Sequence, residues 1–409
     1  MEKQQSKKPL IRFPEFKNAW EHKRLNELLS EVKKRNEDLK YGKDEVLSVS
    51  GELGIVNQIE HLGRSYAGVS VHNYHIVEVD DIVYTKSPLK ANPFGIIKLN
   101  KGKAGIVSTL YAVYKVNQQT AYGPFIDNYF SLDANTNRYL RPLVRKGAKN
   151  TLQVTNEEAI SAEIFAPAIP EQKRIASYFT VLDKKIAELK QKKNLLEQYK
   201  KGVMQKLFSQ ELRFKDENGK EFPKWEKKKL GDVGDFIGGG TPSTQNSDYW
   251  NGDIPWLSSS DLSDENIYQI NSTRFITKEA VSKSATRLVP KKSILIVSRV
   301  GVGKVAVNEV ELCTSQDFTN LIPKSDNYLF MAYLIKLQTH KLLAFNQGTS
   351  IKGFVKSDLE DLQLSIPSIK EQNKIANFLV TLDKKISRTE NQIQQTQQYK
   401  KGLLQNMFI

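Results

Sequence analysis

The feature that most constrains the fold is internal: the chain repeats itself after 200 residues. EQKRIASYFTVLDKKIA, beginning at Glu171, returns as EQNKIANFLVTLDKKIS at Glu371. The match continues without a gap to QYKKGVMQKLF (Gln198 to Phe208) against QYKKGLLQNMF (Gln398 to Phe408), and Pro167 and Pro367 precede the copies at the same offset. A fainter echo opens each half, RFPEFKNAWEHKRL (Arg12 to Leu25) against FPKWEKKKL (Phe222 to Leu230), with Trp20 and Trp225 aligned. This period is too long for a solenoid, so the chain reads as a duplicated unit of two parts, a variable block and a matching tail.

The tails have the pattern of long helices. Apolar residues spaced alternately four and three run through Ile175, Phe179, Leu182, Ile186, Leu189, Leu196, Val203 and Leu207. The second copy places Ile375, Leu379, Leu382, Ile386, Ile393, Leu403 and Met407 in the same register. Lys193, Lys200, Thr389, Thr396 and Lys400 interrupt this seam. A narrow heptad seam is a coiled-coil signal, and about 38 helical residues span roughly 57 Å. A lone helix cannot bury such a seam, so the two copies are expected to pack on each other, antiparallel if the blocks return the chain. Packing of each helix on its own domain, or pairing between chains, stays open at this level.

The blocks are mixed in type. Strand-like runs occur at Ile76–Val79, Asp81–Thr85 and Ile106–Lys115 in the first, and at Ser293–Ser298 and Val305–Val307 in the second. A helix is expected near Tyr328–Leu343, and GGGTPSTQNSDYWNGDIPW reads as loop. The expected architecture is α+β: two similar mixed α/β domains separated by two long helices that form an antiparallel coiled coil, with internal pseudo-two-fold symmetry. The corresponding division is 1–166, 167–210 for the central helix, 211–364, and 365–409 for the C-terminal helix.

Charge narrows the partners. Sixty-one Lys+Arg against 46 Asp+Glu leave a formal net charge of +15, an excess that favours a polyanion such as nucleic acid. Cys313 is the single cysteine, which rules out an internal disulfide and any Cys-rich metal site. The basic start MEKQQSKKPL has no apolar stretch behind it, and the longest apolar run, Leu329 to Ile335, falls far short of the roughly 20 residues that span a bilayer. A cytoplasmic protein is expected.

Catalytic signatures nearly appear and fail for physical reasons. SRVGVGKV (Ser298–Val305) resembles a phosphate-binding loop, but Ser298 stands where the first glycine belongs and Val305 where a hydroxyl must reach the metal. FIGGG (Phe236–Gly240) superficially matches a methyl-donor motif, yet the chain has no Pro-Pro for the companion motif, and Asn92-Pro93-Phe94 is the nearest approach. His72 and His75, three apart on an alternating strand, face opposite sides and are poorly placed to share an ion. Glu188 and Lys190 fit a nuclease E-x-K loosely but fall on the helix, where a solvated face is the better reading. No catalytic residue and no metal site is expected.

The loops do offer groups suited to DNA. The first block holds His61, Arg64, Ser65 and Tyr66, then Lys86, Ser87, Lys90 and Asn92. The second holds Ser258, Ser259, Asp261, Arg299, Lys304 and Gln316, and the stretch QGTSIK with Thr349, Ser350 and Lys352. Such side chains contact base edges or phosphates, and Gly301, Gly303, Gly348 and Gly353 beside them allow close backbone approach.

At this point the chain resembles the specificity subunit of a type I restriction–modification system, over essentially its whole length. The most specific marks are GGGTPSTQNSDYWNGDIPWLSSSDL (Gly238 to Leu262) and GTSIKGFVKSDLEDLQLSIPSIKEQNKIANFLVTLDKKI (Gly348 to Ile386), with AIPEQKRIASYFTVLDKKI (Ala168 to Ile186) as the shorter form. LSVSGELGIV (Leu47 to Val56) is less diagnostic. The resemblance implies that each domain reads one half of an asymmetric two-part DNA site and that the helices act as a ruler for the unread gap. It implies two modification subunits that use S-adenosylmethionine to methylate adenine, and restriction subunits that use ATP and Mg2+. No cofactor is expected on this chain. The competing reading is a coiled-coil scaffold with no DNA role, whose binding would be insensitive to salt, whereas phosphate-dominated binding weakens steeply with it.

Overall fold

The computed structural model describes residues 8–68, 70–147, 152–344 and 353–409. The chain divides into two compact units, Met1–Gln191 with Asn391–Ile409, and Lys192–Glu390.

The first unit opens with β1 (Glu21–Arg24), a one-turn helix α1 (Leu25–Leu28) and β2 (Leu29–Glu31). It continues through β3 (Leu47–Ser50), β4 (Gly54–Asn57), α2 (Gln58–Leu62), β5 (His75–Val77), β6 (Ile82–Thr85), β7 (Ile96–Leu99), β8 (Gly105–Val107) and β9 (Tyr111–Val116). Helices α3 (Gly123–Tyr129) and α4 (Asp133–Leu140), and strands β10 (Arg145–Lys146), β11 (Leu152–Gln153) and β12 (Glu163–Ala166), lead to the long helix α5 (Ile169–Phe208). Its main sheet is antiparallel with order β2-β9-β6-β7. The run Ile106–Lys115, read as one strand from its composition, is two. A turn in which Tyr111 N–H donates to Ser108 O (3.0 Å) separates β8, paired with β5, from β9 in the main sheet.

The second unit runs β13 (Glu226–Lys229), α6 (Leu230–Val233), β14 (Gly234–Gly238), β15 (Ile254–Leu257), β16 (Arg274–Ile276), α7 (Lys278–Lys283), β17 (Leu288–Val289) and β18 (Ile294–Ile296). It ends with β19 (Val305–Val307), β20 (Leu312–Thr314), β21 (Thr319–Pro323), α8 (Tyr328–Ala344), α9 (Lys356–Glu360), β22 (Gln363–Ile366) and α10 (Ile369–Met407). The sheet β14-β21-β18-β19 repeats the order of the first unit's sheet. The second sheet, β16-β15-β20-β17, has only the separate pairs β3-β4 and β5-β8 as counterparts.

The repeat extends to single hydrogen bonds that the sequence conceals. Asp80 and Lys292, just before β6 and β18, both take left-handed φ values, 68° and 64°. Each donates its N–H to a buried asparagine after the next strand, Asn100 O at 2.9 Å and Asn308 O at 2.8 Å. The side-chain amide of Asn100 donates to Glu78 O and Lys103 O, and that of Asn308 to Pro290 O and Val310 O. Both hairpins are therefore closed at the base by one device with different neighbouring sequence.

Each unit also holds half of both long helices, packed antiparallel. In the first, Ile175, Phe179 and Leu182 share a core with Leu403, Leu404, Met407 and Phe408. In the second, Met204 and Leu207 share one with Ile375, Leu379 and Leu382. Ile186 is buried too, while Leu189 and Ile386 are half-buried. Burying one such side chain contributes about 1.5–3 kcal/mol, so the seam stabilises the pairing of an antiparallel coiled coil. The lysines that interrupt it are paired rather than solvated. Lys400 Nζ lies 2.5 Å from Asp183 Oδ1, Lys200 Nζ 2.5 Å from Asp383 Oδ1, and Lys193 Nζ 2.9 Å from Glu390 Oε2. Gly202 does not end α5, which leaves the helix near Gln210, in left-handed φ.

A buried carboxylate anchors the first turn of each helix. Glu171 accepts from Arg12 Nε and Nη2 (both 2.7 Å) and Trp20 Nε1 (3.1 Å). Glu371 accepts from Arg213 Nε (3.1 Å), Arg213 Nη2 (2.7 Å) and Trp225 Nε1 (3.2 Å). The short tryptophan-containing leads thus exist to clamp the helix starts. The next residues, Gln172 and Gln372, accept from the N–H groups of Tyr122 and Asn327 at 2.9 and 2.8 Å, tying each helix to its own block.

Candidate nucleic-acid interface

The β6-β7 and β18-β19 loops occupy equivalent positions, and each is held at its start by the same contact: Lys86 N–H donates to Leu110 O (3.2 Å) and Ser298 N–H to Asp317 O (2.7 Å). Lys86, Lys90 and Asn92 lie on the first loop, Arg299 and Lys304 on the second. Part of each basic set found by composition therefore falls on one structural feature.

In the first unit the members of that set differ in reach. Lys90 is exposed. Lys86 is half-buried, its ammonium 2.5 Å from Asn156 Oδ1, and burial pushes its pKa below the usual lysine range. Asn92 is 5% exposed and donates to Asp133 Oδ1 (2.7 Å), so it shapes the turn from inside. Gly95, at φ 94°, follows because a Cβ there would stand 2.1 Å from Thr85 O. Beyond α2 and the left-handed Gly63, the Arg64 guanidinium lies 4.7 Å over the exposed Tyr66 ring, a planar cation stacked on an aromatic face. Tyr66 N–H is fixed by Gln58 Oε1 at 2.8 Å. His61 lies on α2, not in a loop. His75 is buried on β5 and His72 exposed ahead of it, so the two do not converge.

In the second unit the separate stretches converge. Lys304 Nζ donates to Ser259 O (3.3 Å) and Leu262 O (3.0 Å), which ties the β18-β19 loop to Ser258–Asp261. Gln316 accepts from Thr241, joining the turn before β21 to the glycine-rich loop, and Gly240 N–H donates to Thr314 O (2.8 Å). Phe354 N–H donates to Ser298 O (2.9 Å), which brings the chain after residue 352 to the same place. Arg299 and Gln316 are exposed on this cluster, and Ser258 and Ser259 half-buried. Thr349, Ser350 and Lys352 lie outside the described residues.

Composition alone missed Arg274. It sits on β16 directly across from Trp256, its guanidinium 4.4 Å over that ring, and it donates to Ser258 Oγ (2.5 Å) and Asp261 Oδ2 (3.0 Å). Nothing in INSTRFITKE marks it, because its role depends on a strand register. Among the described residues no group of His, Cys, Asp or Glu could hold a metal ion, and no helix is long and apolar enough to cross a membrane.

Two copies of one scaffold, each presenting a loop cluster rich in cations, hydroxyls and amides, define a duplicated recognition module. The family model for the type I restriction modification DNA specificity domain matches it twice, over residues 17–198 and 223–398, and the chain belongs to that family. Specificity subunits of type I systems are non-catalytic adaptors.

Among relatives, it is 36% identical over 207 residues to the type I restriction enzyme MjaIX specificity subunit of Methanocaldococcus jannaschii, covering 49% of this chain and 48% of that protein. It is 33% identical over 164 residues to the EcoR124I/EcoR124II specificity subunit of Escherichia coli, covering 38% and 40%. The matched stretch thus spans about half the length of these curated relatives or less. The crystal structure of the type I restriction–modification S subunit from M. genitalium superposes with a TM-score of 0.60 at 14% identity, over 98% of this chain and 99% of that one. A chain from a structural study of type I system assembly gives 0.56 at 17%, over 95% and 96%. At such identities both attest the fold.

Proposed function

We propose that this chain is the DNA-reading subunit of a type I restriction–modification complex in the cytoplasm, each unit reading one half of a bipartite, asymmetric site. The observation that carries this reading is the pair of equivalent loops on a repeated scaffold, one per unit, both bearing exposed cations. Blocks 1–166 and 211–364 are the readers, and helices 167–210 and 365–409 set the unread gap and dock two modification subunits.

In the first reader Arg64, Tyr66 and Lys90 approach the duplex, while Lys86 and Asn92 hold the loop in shape. In the second, Arg299, Gln316, Ser258 and Ser259 face DNA with Arg274. Lys304 positions the loop, and Thr349, Ser350 and Lys352 complete the set. Arginine stacked on an aromatic ring has lost much of its rotamer freedom before binding, which favours bidentate base or phosphate contacts. The chain itself binds no cofactor; S-adenosylmethionine, ATP and Mg2+ serve the modification and restriction subunits.

The test is a genome-wide map of methylated adenine in cells with and without this chain, the modification subunit being present in both. Loss of methylation at one two-part motif of fixed gap is expected on deletion. An unchanged map in cells where the two proteins co-purify would move the scaffold reading to the front.

A further inference from the structure

Two turns of the chain share one structure and differ in content. β5 pairs with β8 through Val77↔Gly105 and Ile76↔Ile106, and β17 pairs with β20 through Val289↔Leu312 and Leu288↔Cys313. After the turn, β6 pairs with β9 through Ile82↔Tyr114 and Thr85↔Tyr111, and β18 pairs with β21 through Ile294↔Leu321 and Val297↔Phe318. In all four cases the first partner shifts by 212 residues (Val77 to Val289) and the second by 207 (Gly105 to Leu312). The turn at 108–111 therefore stands where 315–318 stands in the second unit. The hydrogen bonds agree. Tyr111 N–H donates to Ser108 O (3.0 Å) and Phe318 N–H to Ser315 O (3.2 Å). Leu110 N–H donates to Ser108 Oγ (3.4 Å) and Asp317 N–H to Ser315 Oγ (3.3 Å). Leu110 O and Asp317 O then hold the starts of the neighbouring loops, at Lys86 and Ser298.

The change of chemical type is confined to the two middle residues, Thr109-Leu110 against Gln316-Asp317; a serine precedes and an aromatic residue follows in both turns. Gln316 is exposed in the second unit, and Thr109 and Leu110 are exposed in the first. Leu110 is 63% exposed, on a backbone fixed by the hydrogen bonds above and tied to the loop that carries Lys86 and the exposed Lys90. A scattered exposed leucine is ordinary. A leucine held on the turn where the other unit presents a glutamine to its loop cluster is in a different position. Composition passes over it because STLY holds neither a cation nor an amide.

We propose that the turn at 108–111 is a second reading element of the first unit, and that Leu110 packs on the C5-methyl group of a thymine in the major groove. The inference rests on the function proposed above and adds a residue and a base chemistry to it. An asymmetric site requires that equivalent positions of the two readers differ, and this turn keeps its frame while its middle changes in kind. An aliphatic side chain neither donates nor accepts a hydrogen bond, so it serves neither a phosphate nor a polar base edge. Thymine is the base that offers a methyl group in the major groove. Burying that methyl against Leu110 removes apolar surface from water on both sides, worth roughly fourfold in affinity. The neighbouring lysines supply the attraction to phosphate that brings the duplex within reach.

The experiment measures binding of the full chain, reconstituted with its modification subunit, to duplexes carrying the two-part motif. Each thymine of both half-sites is replaced in turn by deoxyuridine, which lacks only the methyl group. For the parent, one such replacement is expected to weaken binding roughly fourfold. Leu110→Ala should weaken binding to the thymine duplex and show no further loss with deoxyuridine at that position, while every other replacement keeps the parent's ratio. Leu110→Met, still apolar, should bring the methyl dependence back, and circular dichroism melting checks that each variant is folded. An equal loss from deoxyuridine in the parent and in Leu110→Ala overturns the proposal, as does a parent indifferent to every thymine methyl. Unchanged DNA binding with weaker uptake of the modification subunit overturns it too, and assigns Leu110 to a protein contact. A parent complex that binds the motif no better than a scrambled duplex sinks the proposed function itself, and this inference with it, before any variant is weighed.

Discussion

Replacing Glu371 with glutamine removes one charge from the second unit with almost no change of shape. The carboxylate side chain is 0% exposed and receives two hydrogen bonds from Arg213 and one from Trp225 Nε1. A glutamine has one acceptor oxygen: at the Oε2 position it keeps Arg213 Nη2 and Trp225 Nε1 but turns its NH2 toward Arg213 Nε, and at the Oε1 position it keeps Arg213 Nε and opposes the other two donors. Arg213, whose side chain is 23% exposed, keeps its charge in a largely dry place. Removing one partner of a buried pair costs about 3–5 kcal/mol. For a unit of this size each kcal/mol lowers Tm by about 2–4 °C, so a fall of about 10 °C is expected.

The assay is differential scanning calorimetry of the parent, Glu371→Gln, and Arg213→Met/Glu371→Met. The double variant should recover part of the loss, because it leaves neither charge of the pair stranded and only the Trp225 Nε1 donor without its acceptor. Glu171→Gln, with Arg12 and Trp20 in the same arrangement, should lose a comparable amount from the first unit. A Glu371→Gln protein melting within about 2 °C of the parent refutes the clamp, since that corresponds to about 1 kcal/mol or less. So does a double variant that is no better than the single one.

Three other outcomes are expected. Gly239→Ala places a Cβ 2.0 Å from Ser315 O and 2.5 Å from Thr314 O, so the backbone must move; a loss of about 1–3 kcal/mol in urea unfolding should accompany loss of one half-site only from the methylation map. Arg299→Ala should either lower the salt slope of DNA binding by about 1, for a phosphate contact, or relax one base position at a cost of about 1–3 kcal/mol, for a base contact; titrations over a salt series that show neither remove it from the interface. Lys336, half-buried beside Lys200, has its pKa pushed down to about 8, first by burial and then by that neighbouring charge. Because the folded state then holds this proton less tightly than the unfolded chain, stability contributed at this residue rises as pH climbs from about 8 toward the unfolded value near 10.4. Lys336→Met should therefore raise unfolding free energy more at pH 7 than at pH 10, and an equal effect at both would be incompatible with the depressed pKa.

The helices were legible because two periodicities reinforce each other there, the 200-residue repeat and the heptad. The ion pairs across the seam were not legible: Lys200 and Lys400 look like defects in an apolar seam until Asp383 and Asp183 are seen across from them. The blocks were less legible for two reasons. Ile106–Lys115 is strand-like in composition and carries no Gly or Pro at Ser108–Thr109 to mark a break, and the Ser108–Tyr111 hydrogen bond shows that the chain changes sheet there. Arg274 gains its role from facing Trp256 across two strands, a relation that no linear spacing encodes.

The repeated hairpin explains why the blocks can share a fold with so little shared sequence. The offset between equivalent positions is 212 at Asp80 and Lys292 but 208 at Asn100 and Asn308, so the intervening loop differs in length and a fixed-offset comparison loses it. What must be kept lies at the base: one left-handed residue and one buried asparagine whose amide closes two carbonyls. A left-handed position costs about 1–3 kcal/mol at a residue other than glycine and persists where the surrounding structure imposes it; here the hydrogen bond to the asparagine carbonyl does so for aspartate and lysine alike, so the residue type can change. The tip, KSPLKANPF in one unit and SRVGVGK in the other, then bears no part of closing the hairpin base. A loop relieved of that task can vary at its exposed cations with small effect on stability, since substitutions at such surface positions usually stay within about 0.5 kcal/mol. Separating support from the exposed loop in this way lets one scaffold carry two different loop sequences within a single chain, as the proposed reading of two half-sites requires.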